Sequence, residues 1–213
     1  MMKRSLIKVL ITCGPTWVPI DDVRVISNIS TGTLGQMLAQ DFARAGGKVT
    51  LIEGPVQRPL ESKTIKILKF KLYDELFALL KKQLTDHFDV IIHLAAVSDY
   101  QLKKTFRSKL SSHLTRLDLK LVPTKKIIEQ LKRIAPKSFL VGFKLEPKIS
   151  EGNIKRYTKN LFEKAQCNLA VVNSISGNQY LAYIVDTKGN ILAKASKKEG
   201  LSKLLIKAIK ENL

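Results

Sequence analysis

Two glycine turns joined by a polar loop are the features of this sequence best suited to bind an anion. The first turn contains Gly14 and follows the apolar run Val9–Thr12, which predicts a buried strand. The second turn ends at Gly32, after which apolar residues recur at helical spacing. A helix that begins there would offer free backbone N–H groups and the positive end of its dipole. This order predicts a phosphate site formed by Ser30, Thr31, Gly32 and Gly35.

The loop between the two turns is longer than packing alone requires. It separates the strand from the helix by about twenty residues, and loops of that length are usually functional. It also carries polar side chains, namely Asp21, Asp22, Arg24 and Asn28. The glycines alone are equally compatible with a tight turn that binds nothing, and the loop favours the functional interpretation.

Further candidate residues follow other apolar runs of the chain. The run Val90–Ala96 predicts a central strand and leads into Ser98 and Asp99. Lys155 and Lys159 are four residues apart and share one face of a predicted helix, which suits either a solvated surface or a triphosphate. Lys109 lies in a segment with few apolar anchors. That segment predicts a mobile flap that brings charge to an anion, or simply a solvated loop.

The histidines and cysteines give weaker signals. His93 lies within an apolar strand, which favours a hydrogen-bonded core histidine over a catalytic one. No Ser-His-Asp arrangement and no metal-ligand spacing is evident. Cys13 and Cys167 are far apart, which fits a reducing cytoplasmic setting, and Cys13 is better explained as a small buried side chain than as a nucleophile.

Strand and helix patterns alternate along most of the chain. This alternation predicts an α/β fold, a Rossmann-like open and mostly parallel sheet with helices on both faces, in one domain over residues 1–213. Two departures are expected. Leu114–Leu121 alternates apolar and polar residues and predicts a half-exposed strand in an extended β arm or flap. Thr187–Asn190 predicts the turn of a β-hairpin.

Composition limits the class of protein without fixing its ligand. The chain has 213 residues, a net charge of +19 and no apolar run long enough to span a bilayer. The basic start Met1–Ser5 precedes only a short apolar segment and does not predict a signal peptide. The basic residues are spread along the chain, which favours a solvated surface over a specific nucleic-acid site.

A dinucleotide-dependent reductase is the main alternative among enzymes. Tyr100 and Lys104 have the Tyr-x-x-x-Lys spacing of short-chain dehydrogenases. That pair belongs on a helix, however, and here it directly follows a predicted strand. The third glycine of the dinucleotide fingerprint is also missing after Gly32 and Gly35.

The motifs together resemble the phosphopantothenoylcysteine synthetase (phosphopantothenate–cysteine ligase) family, in its free-standing form. The resemblance covers nearly the whole chain. It rests on Gly14-Pro15-Thr16, Pro19–Arg24, Ile26–Gly32, Ala95–Tyr100, the flap residue Lys109 and Val141-Gly142-Phe143 with Glu146.

This resemblance implies an amide-forming ligase of coenzyme A synthesis. Phosphopantothenate would be activated by CTP, or by ATP in some members, as an acyl-nucleotidylate that then reacts with cysteine. CTP is the expected nucleotide, and Mg²⁺ would accompany it. Family members are dimers, so part of Val97–Val122 is expected to contact a second copy.

The resemblance also assigns roles to individual residues. Asn28 would bind the activated intermediate and Lys109 would close over it as the second catalytic group. Substrate and phosphate would contact Gly14, Thr16, Arg24, Ser30, Thr31, Gly32, Gly35 and Ala96. The nucleotide would contact His93, Leu94, Ala95, Asp99, Lys126, Ile127, Ile128, Phe143, Lys155 and Lys159. Lys125–Ile128 replaces a Pro-Asp-Ile-Val pattern of the bacterial family, which leaves the choice between CTP and ATP open.

Overall fold

The computed structural model describes residues 6–177 and 179–213, so the basic start Met1–Ser5 lies outside the described residues. The strands are β1 (Lys8–Cys13), β2 (Trp17–Pro19), β3 (Val25–Ser27), β4 (Lys48–Glu53), β5 (Lys66–Lys69), β6 (Val90–His93), β7 (Tyr100–Leu102), β8 (Leu121–Pro123), β9 (Phe139–Leu145), β10 (Leu169–Ser176), β11 (Gln179–Asp186) and β12 (Ile191–Ala195). The helices are α1 (Thr33–Arg44), α2 (Tyr73–Gln83), α3 (Ile128–Ile134), α4 (Ile154–Glu163) and α5 (Lys198–Asn212). Within the described residues no helix combines the length and the apolar composition needed to cross a bilayer.

The central sheet has eight strands in the order β12-β11-β10-β9-β6-β1-β4-β5. All neighbours from β5 to β10 pair in parallel, and β11 and β12 add an antiparallel edge. The chain builds outward from β1 first through β4 and β5, and then in the other direction through β6 and β9. The carboxyl ends of β1 and β6 therefore flank the point where strand order reverses, which is where open α/β sheets bind ligands. The predicted fold class is confirmed.

Alternation along the strands divides the core between two faces of the sheet. In β1, Val9, Ile11 and Cys13 pack on the side of α1 and α5, whereas Leu10 packs on the side of α2, α3 and α4. Both sets are fully buried, because a central parallel strand is covered on each side. The sheet is thus rigid where its strands end, and the loops that leave β1 and β6 start from fixed positions.

Gly32 immediately precedes α1 and is in the left-handed region, with φ of 71°, so it turns the chain into the helix. Its apolar residues Leu34, Leu38 and Phe42 face the sheet. Gly35 is buried between them, and a Cβ added there would overlap the Cβ of Cys13 at the end of β1. Gly35 is therefore explained by close packing of the helix on the sheet, and its contact with phosphate stays a prediction.

The irregular parts of the chain differ most from the sequence predictions. The polar loop after β1 contains an antiparallel hairpin of β2 and β3. The prediction of a strand over Leu114–Leu121 is wrong, because only its last residue begins β8, which pairs with β7 in a second small hairpin. Residues 114–118 are exposed on every side, so their alternation has no buried face to satisfy.

We predict that Gly35→Ala lowers the free energy of unfolding by about 1–3 kcal/mol, since the added methyl group forces α1 away from Cys13. Urea denaturation followed by circular dichroism measures the change. Gly200→Ala is the matched control, because Gly200 lies in α5 with open space around its Cα. That variant keeps or raises stability by up to about 1 kcal/mol. Equal losses in both variants would contradict the packing explanation.

Candidate functional site

The two glycine turns meet at the carboxyl end of β1. A Cβ added to Gly32 would lie 3.6 Å from the backbone nitrogen of Gly14 and 2.7 Å from Cγ1 of Val56. Gly14 also has a positive φ, of 79°, and contacts the same valine. Side chains at either position would separate the turns. The first N–H groups of α1 therefore lie directly beside the loop that leaves β1, as a phosphate site requires.

The loops that follow β1 and β6 are joined by backbone hydrogen bonds. Ala96 N–H donates to the carbonyl of Gly14 at 2.9 Å, and Thr16 N–H donates to the carbonyl of Ala96 at 3.3 Å. The buried hydroxyl of Thr16 accepts the N–H of Ser98 at 2.9 Å. The structure thus brings together Gly14, Thr16 and Ala96, which were predicted as substrate residues, and all three serve to hold the loops in place.

Asn28 connects the end of the β2–β3 hairpin to the loop after β6. Its Nδ2 donates to the carbonyls of Ala96 at 3.0 Å and Val97 at 3.3 Å. The residue is exposed, so its amide oxygen is open to solvent on the other side. The N–H groups that the resemblance assigns to a substrate carbonyl are therefore engaged by protein carbonyls in this structure.

Asn28 borders a cavity of about 300 Å³ between the two hairpins. Its other lining residues are Val18, Ile26, Ser98, Asp99, Tyr100 and Leu121. The Oδ1 of Asp99 is 2.5 Å from the Nζ of Lys126, so this carboxylate is balanced by a lysine from the segment before α3. A more open groove of about 400 Å³ follows the outer face of α1, and it contains neither Asn28 nor the loop after β6.

Thr12 fixes the protonation of His93. A threonine hydroxyl has one hydrogen to donate and two lone pairs to accept with. The hydroxyl of Thr12 accepts the N–H groups of Leu94 at 3.2 Å and Ala95 at 3.1 Å, so its hydrogen is left for Nδ1 of His93 at 3.0 Å. Nδ1 is therefore the acceptor, and the ring carries its proton on Nε2. Burial lowers the pKa of His93 to about 4, in agreement with a neutral ring.

Neither cysteine has the environment of a nucleophile. Burial raises the pKa of Cys13, and the nearby carboxylate of Glu53 raises it further. Burial likewise raises the pKa of Cys167 to about 12. Both thiols stay protonated near neutral pH, so neither can attack an acyl group. Cys13 is a small buried side chain, as the sequence suggested.

The predicted phosphate and nucleotide residues lie in different parts of the structure. Ser30, Thr31 and Gly32 lead into α1, and the hydroxyls of Thr31 and Thr33 are 2.9 Å apart. Ile128 lies against Gly142 beside β6, whereas Phe143 and Leu94 both pack against the core on the opposite face of the sheet. Ile127 is buried in the core, so only its backbone could reach a ligand.

Lys155 is not brought to this end of the sheet. The methylene chain of Lys155 lies along Gly189 in the turn between β11 and β12. That turn follows Asp186, which pairs with Leu169 at the start of β10, so it lies toward the amino end of the parallel strands. Lys159 is one helical turn further along the exposed side of α4. The structure gives a nucleotide role for Lys155 no geometric support.

Arg24 and the flap lysine are linked through the chain between them. The guanidinium of Arg24 donates to the carbonyl of Leu110 at 3.0 Å and lies 3.7 Å from the carboxylate of Asp21. Lys109 immediately precedes Leu110 and is exposed. Within the described residues its ammonium group has neither a hydrogen bond nor an ion pair. Arg24 therefore contacts the flap, and the substrate contact expected for it stays a prediction.

Sequence reasoning missed Thr12 and the role of Asp21. Thr12 looked like part of an apolar strand, and only the alternation of faces places its hydroxyl next to His93. Asp21 was noted only as a polar loop residue, and its full burial could not be inferred from a loop. The described residues contain no group of three or more His, Cys, Asp or Glu side chains that could hold a metal ion.

Residues 5–213 match the family described as the DNA/pantothenate metabolism flavoprotein C-terminal domain. The chain belongs to this family. The coenzyme A biosynthesis bifunctional protein CoaBC of Methanocaldococcus jannaschii is 32% identical over 217 residues, which cover 99% of this chain and 52% of that protein. The chain thus spans about half the length of this curated relative.

Two solved structures share the fold. A DNA/pantothenate metabolism flavoprotein from Streptococcus pneumoniae has a TM-score of 0.86 and 28% identity, and the match covers 97% of this chain and all of that one. A Cab2 mutant in complex with phosphopantothenate-cysteine has a TM-score of 0.76 and 20% identity, covering 96% of this chain and 87% of that one. At that identity the second likeness shows the fold alone.

We predict that the free energy of unfolding falls as the pH is lowered from 7 to 4.5, in part through His93. The folded-state pKa of about 4 lies below the ordinary 6.5, so the unfolded chain binds a proton that the folded chain excludes. The effect amounts to at most about 3 kcal/mol. His93→Gln flattens the curve measured by urea denaturation at each pH. His113→Gln, which removes an exposed imidazole, leaves the curve as it is in the wild type. An equally steep curve for His93→Gln would contradict this assignment.

Proposed function

We propose that this chain is a phosphopantothenate–cysteine ligase of coenzyme A biosynthesis. The observation that carries the proposal is the position of Asn28, whose amide spans the switch point of the sheet beside the N-terminus of α1. The proposal is supported by the family and by the M. jannaschii relative, which is named for coenzyme A biosynthesis. The Cab2 structure, which contains phosphopantothenate-cysteine, is consistent with it.

The reaction has two steps that place different demands on the site. In the first, the phosphopantothenate carboxylate attacks the α-phosphorus of the nucleotide, and pyrophosphate leaves. In the second, the amine of cysteine attacks the acyl carbon, the bond to the nucleotide phosphate breaks, and the nucleoside monophosphate leaves. The first step needs positive charge around a triphosphate, and the second needs a donor for the acyl oxygen.

The chain supplies these groups from three directions. The N–H groups that follow Gly32 would bind phosphate at the start of α1. Lys126 and Lys109 would approach from the segment before α3 and from the flap. Asp99 would accept hydrogen bonds from ribose hydroxyls, since a carboxylate paired with Lys126 is a poor neighbour for a phosphate. The mixed anhydride would be shielded from water in the cavity beside Asn28.

Asn28 would change acceptors during the reaction. In the structure its Nδ2 donates to the carbonyls of Ala96 and Val97, which lie at the floor of the site. The acyl oxygen of the intermediate would take the place of one of these carbonyls. The other bond would keep the amide oriented, so little reorganisation is needed when charge develops.

CTP is the nucleotide we propose, with ATP as the alternative, and Mg²⁺ would arrive bound to its phosphates. Mg²⁺ is usually held by one or two carboxylates together with substrate phosphates and water. The described residues contain no group of three or more side chains that could hold a metal ion, so nucleotide phosphates and water would supply most of its ligands. The same assay therefore tests nucleotide and metal together.

We predict that Asn28→Asp lowers kcat about a hundredfold or more, because a carboxylate cannot donate to the acyl oxygen and adds negative charge beside it. Pyrophosphate release is measured with phosphopantothenate and either CTP or ATP, with and without cysteine and Mg²⁺. CTP is expected to give the higher rate. Asn153→Asp adds the same charge at an exposed position and keeps the wild-type rate. Normal turnover of Asn28→Asp would rule out the assigned role.

We also propose that a second copy of the chain packs on the two hairpins. Large apolar side chains on and between them are exposed, namely Val23, Val25, Ile26, Tyr100, Phe106, Leu114, Leu117 and Leu121. A surface of this composition is usually covered by a partner.

Light scattering should therefore give twice the 23.9 kDa of one chain. The double variant Val25→Lys/Leu117→Lys, which charges two of these positions outside the cavity, should give a monomer. A monomeric wild type would contradict the proposed dimer and would leave the ligase assay as the test of activity.

A further inference from the structure

The peptide of Leu110 is held at both its polar groups by the turn between β2 and β3. The Oδ2 of Asp21 accepts the N–H of Leu110 at 3.0 Å, and the guanidinium of Arg24 donates to the carbonyl of Leu110 at 3.0 Å. These bonds join segments that are far apart in the sequence. The side chain of Asp21 has no exposed surface, whereas that of Arg24 is partly exposed.

The same carboxylate also shapes the turn that presents it. The Oδ1 of Asp21 accepts the N–H groups of Val23 at 2.9 Å and Arg24 at 2.8 Å. The N–H of Leu110 contributes most to lowering the pKa of Asp21, ahead of the two N–H groups of the turn and the charge of Arg24. The carboxylate therefore stays ionised near neutral pH, and both of its oxygens are used.

The flap needs an attachment of this kind to have a defined position. Residues 103–120 connect β7 to β8, and their ends are joined by the N–H of Lys103 and the carbonyl of Lys120 at 2.9 Å. One further bond, from the N–H of Phe106 to the carbonyl of Ile20, reaches the same turn. Within one copy of the chain almost every residue of the segment is exposed, so apolar contacts inside that copy restrict it little. A second copy would contact its apolar side chains, but without the bonds to Leu110 the backbone next to Lys109 would still sample many conformations.

We propose that Asp21 and Arg24 are positioning residues that hold the flap at Leu110 and so keep the ammonium group of Lys109 near the nucleotide site. This role rests on the proposed function, in which Lys109 closes over the activated intermediate. A fixed attachment one residue from the lysine raises the effective concentration of its charge at the site. Neither Asp21 nor the guanidinium of Arg24 needs to touch substrate for this effect.

The variant Asp21→Asn tests the bond to Leu110 while leaving the bonds within the turn in place. The amide oxygen of asparagine can still accept the N–H groups of Val23 and Arg24, whereas its NH₂ group meets the N–H of Leu110 donor to donor. We expect amide hydrogen exchange at Leu110 and tryptic cleavage of the Lys109–Leu110 bond to be about tenfold faster than in the wild type. Asp22→Asn removes an equal charge from the neighbouring exposed residue, and both rates stay as they are in the wild type.

A double-mutant cycle distinguishes positioning from a general loss of structure. Asp21→Asn should lower kcat about tenfold while the KM for phosphopantothenate is unchanged. In a Lys109→Ala background the same substitution should lower kcat no further, because there is no ammonium group left to position. Arg24→Met, which removes the donor to the Leu110 carbonyl and leaves the Asp21 bonds, should accelerate exchange at Leu110 in the same direction.

The outcomes are separable. Absence of ligase turnover in the wild type would overturn the proposed function. Given wild-type turnover, the positioning role is overturned by unchanged exchange at Leu110 in both Asp21→Asn and Arg24→Met, or by an unchanged kcat in a loosened flap. Additive losses of Asp21→Asn and Lys109→Ala would also overturn it. A rise in kcat would show that the attachment holds the lysine away from the site, which is the opposite of the proposal.

Discussion

The pairing of the loops that follow β1 and β6 is the interaction on which the rest of the site depends. Two backbone hydrogen bonds, between Ala96 and Gly14 and between Thr16 and Ala96, continue the contact of two parallel strands beyond their ends. Strand order reverses at this point, so no crossover helix covers the gap. Asn28 can span the gap only because the two loops are already close. Its amide therefore acquires its position from the sheet and needs no support from its own exposed surroundings.

The glycines determine how closely the N-terminus of α1, the proposed phosphate site, approaches this pairing. Gly35 lets the helix touch Cys13, while Gly14 and Gly32 adopt left-handed conformations that return the chain toward the sheet. All three glycines lie where the start of α1 contacts the end of β1. These glycines would be needed for close packing of the helix on the strand even if no ligand were bound. Glycine turns alone are therefore weak evidence of binding.

The sequence was sufficient for the sheet and for most helices because their apolar residues recur with a clear period. It was insufficient where elements are short and exposed. The strands β2 and β3 have three residues each, and β3 has no buried side chain, so no pattern marks it. The segment before β8 is the opposite case. Its apolar and polar residues alternate as in a strand, although none of residues 114–118 is buried. For the site, the apolar neighbours of His93 correctly indicated a core histidine. The hydroxyl that fixes its protonation could be found only from the register of β1 against β6.

Pairing of their charges lets carboxylates occur in the proposed anion site. The charge of Asp21 is satisfied by three backbone N–H groups and Arg24, and that of Asp99 by Lys126. These acids therefore repel an approaching phosphate less than isolated carboxylates would. The first N–H groups of α1 and the amide of Asn28 are donors at the same end of the sheet. Asp21 is the fully buried acidic residue of this loop, and its carboxylate accepts the N–H of Leu110. We propose that this bond brings the neighbouring cation Lys109 toward the site. Under the proposed function, the cations that face a triphosphate would be Lys109 on the flap and Lys126 before α3. We propose on this basis that the flap contributes more to binding the triphosphate than the overall charge of +19 does, because the other basic residues are spread along the chain.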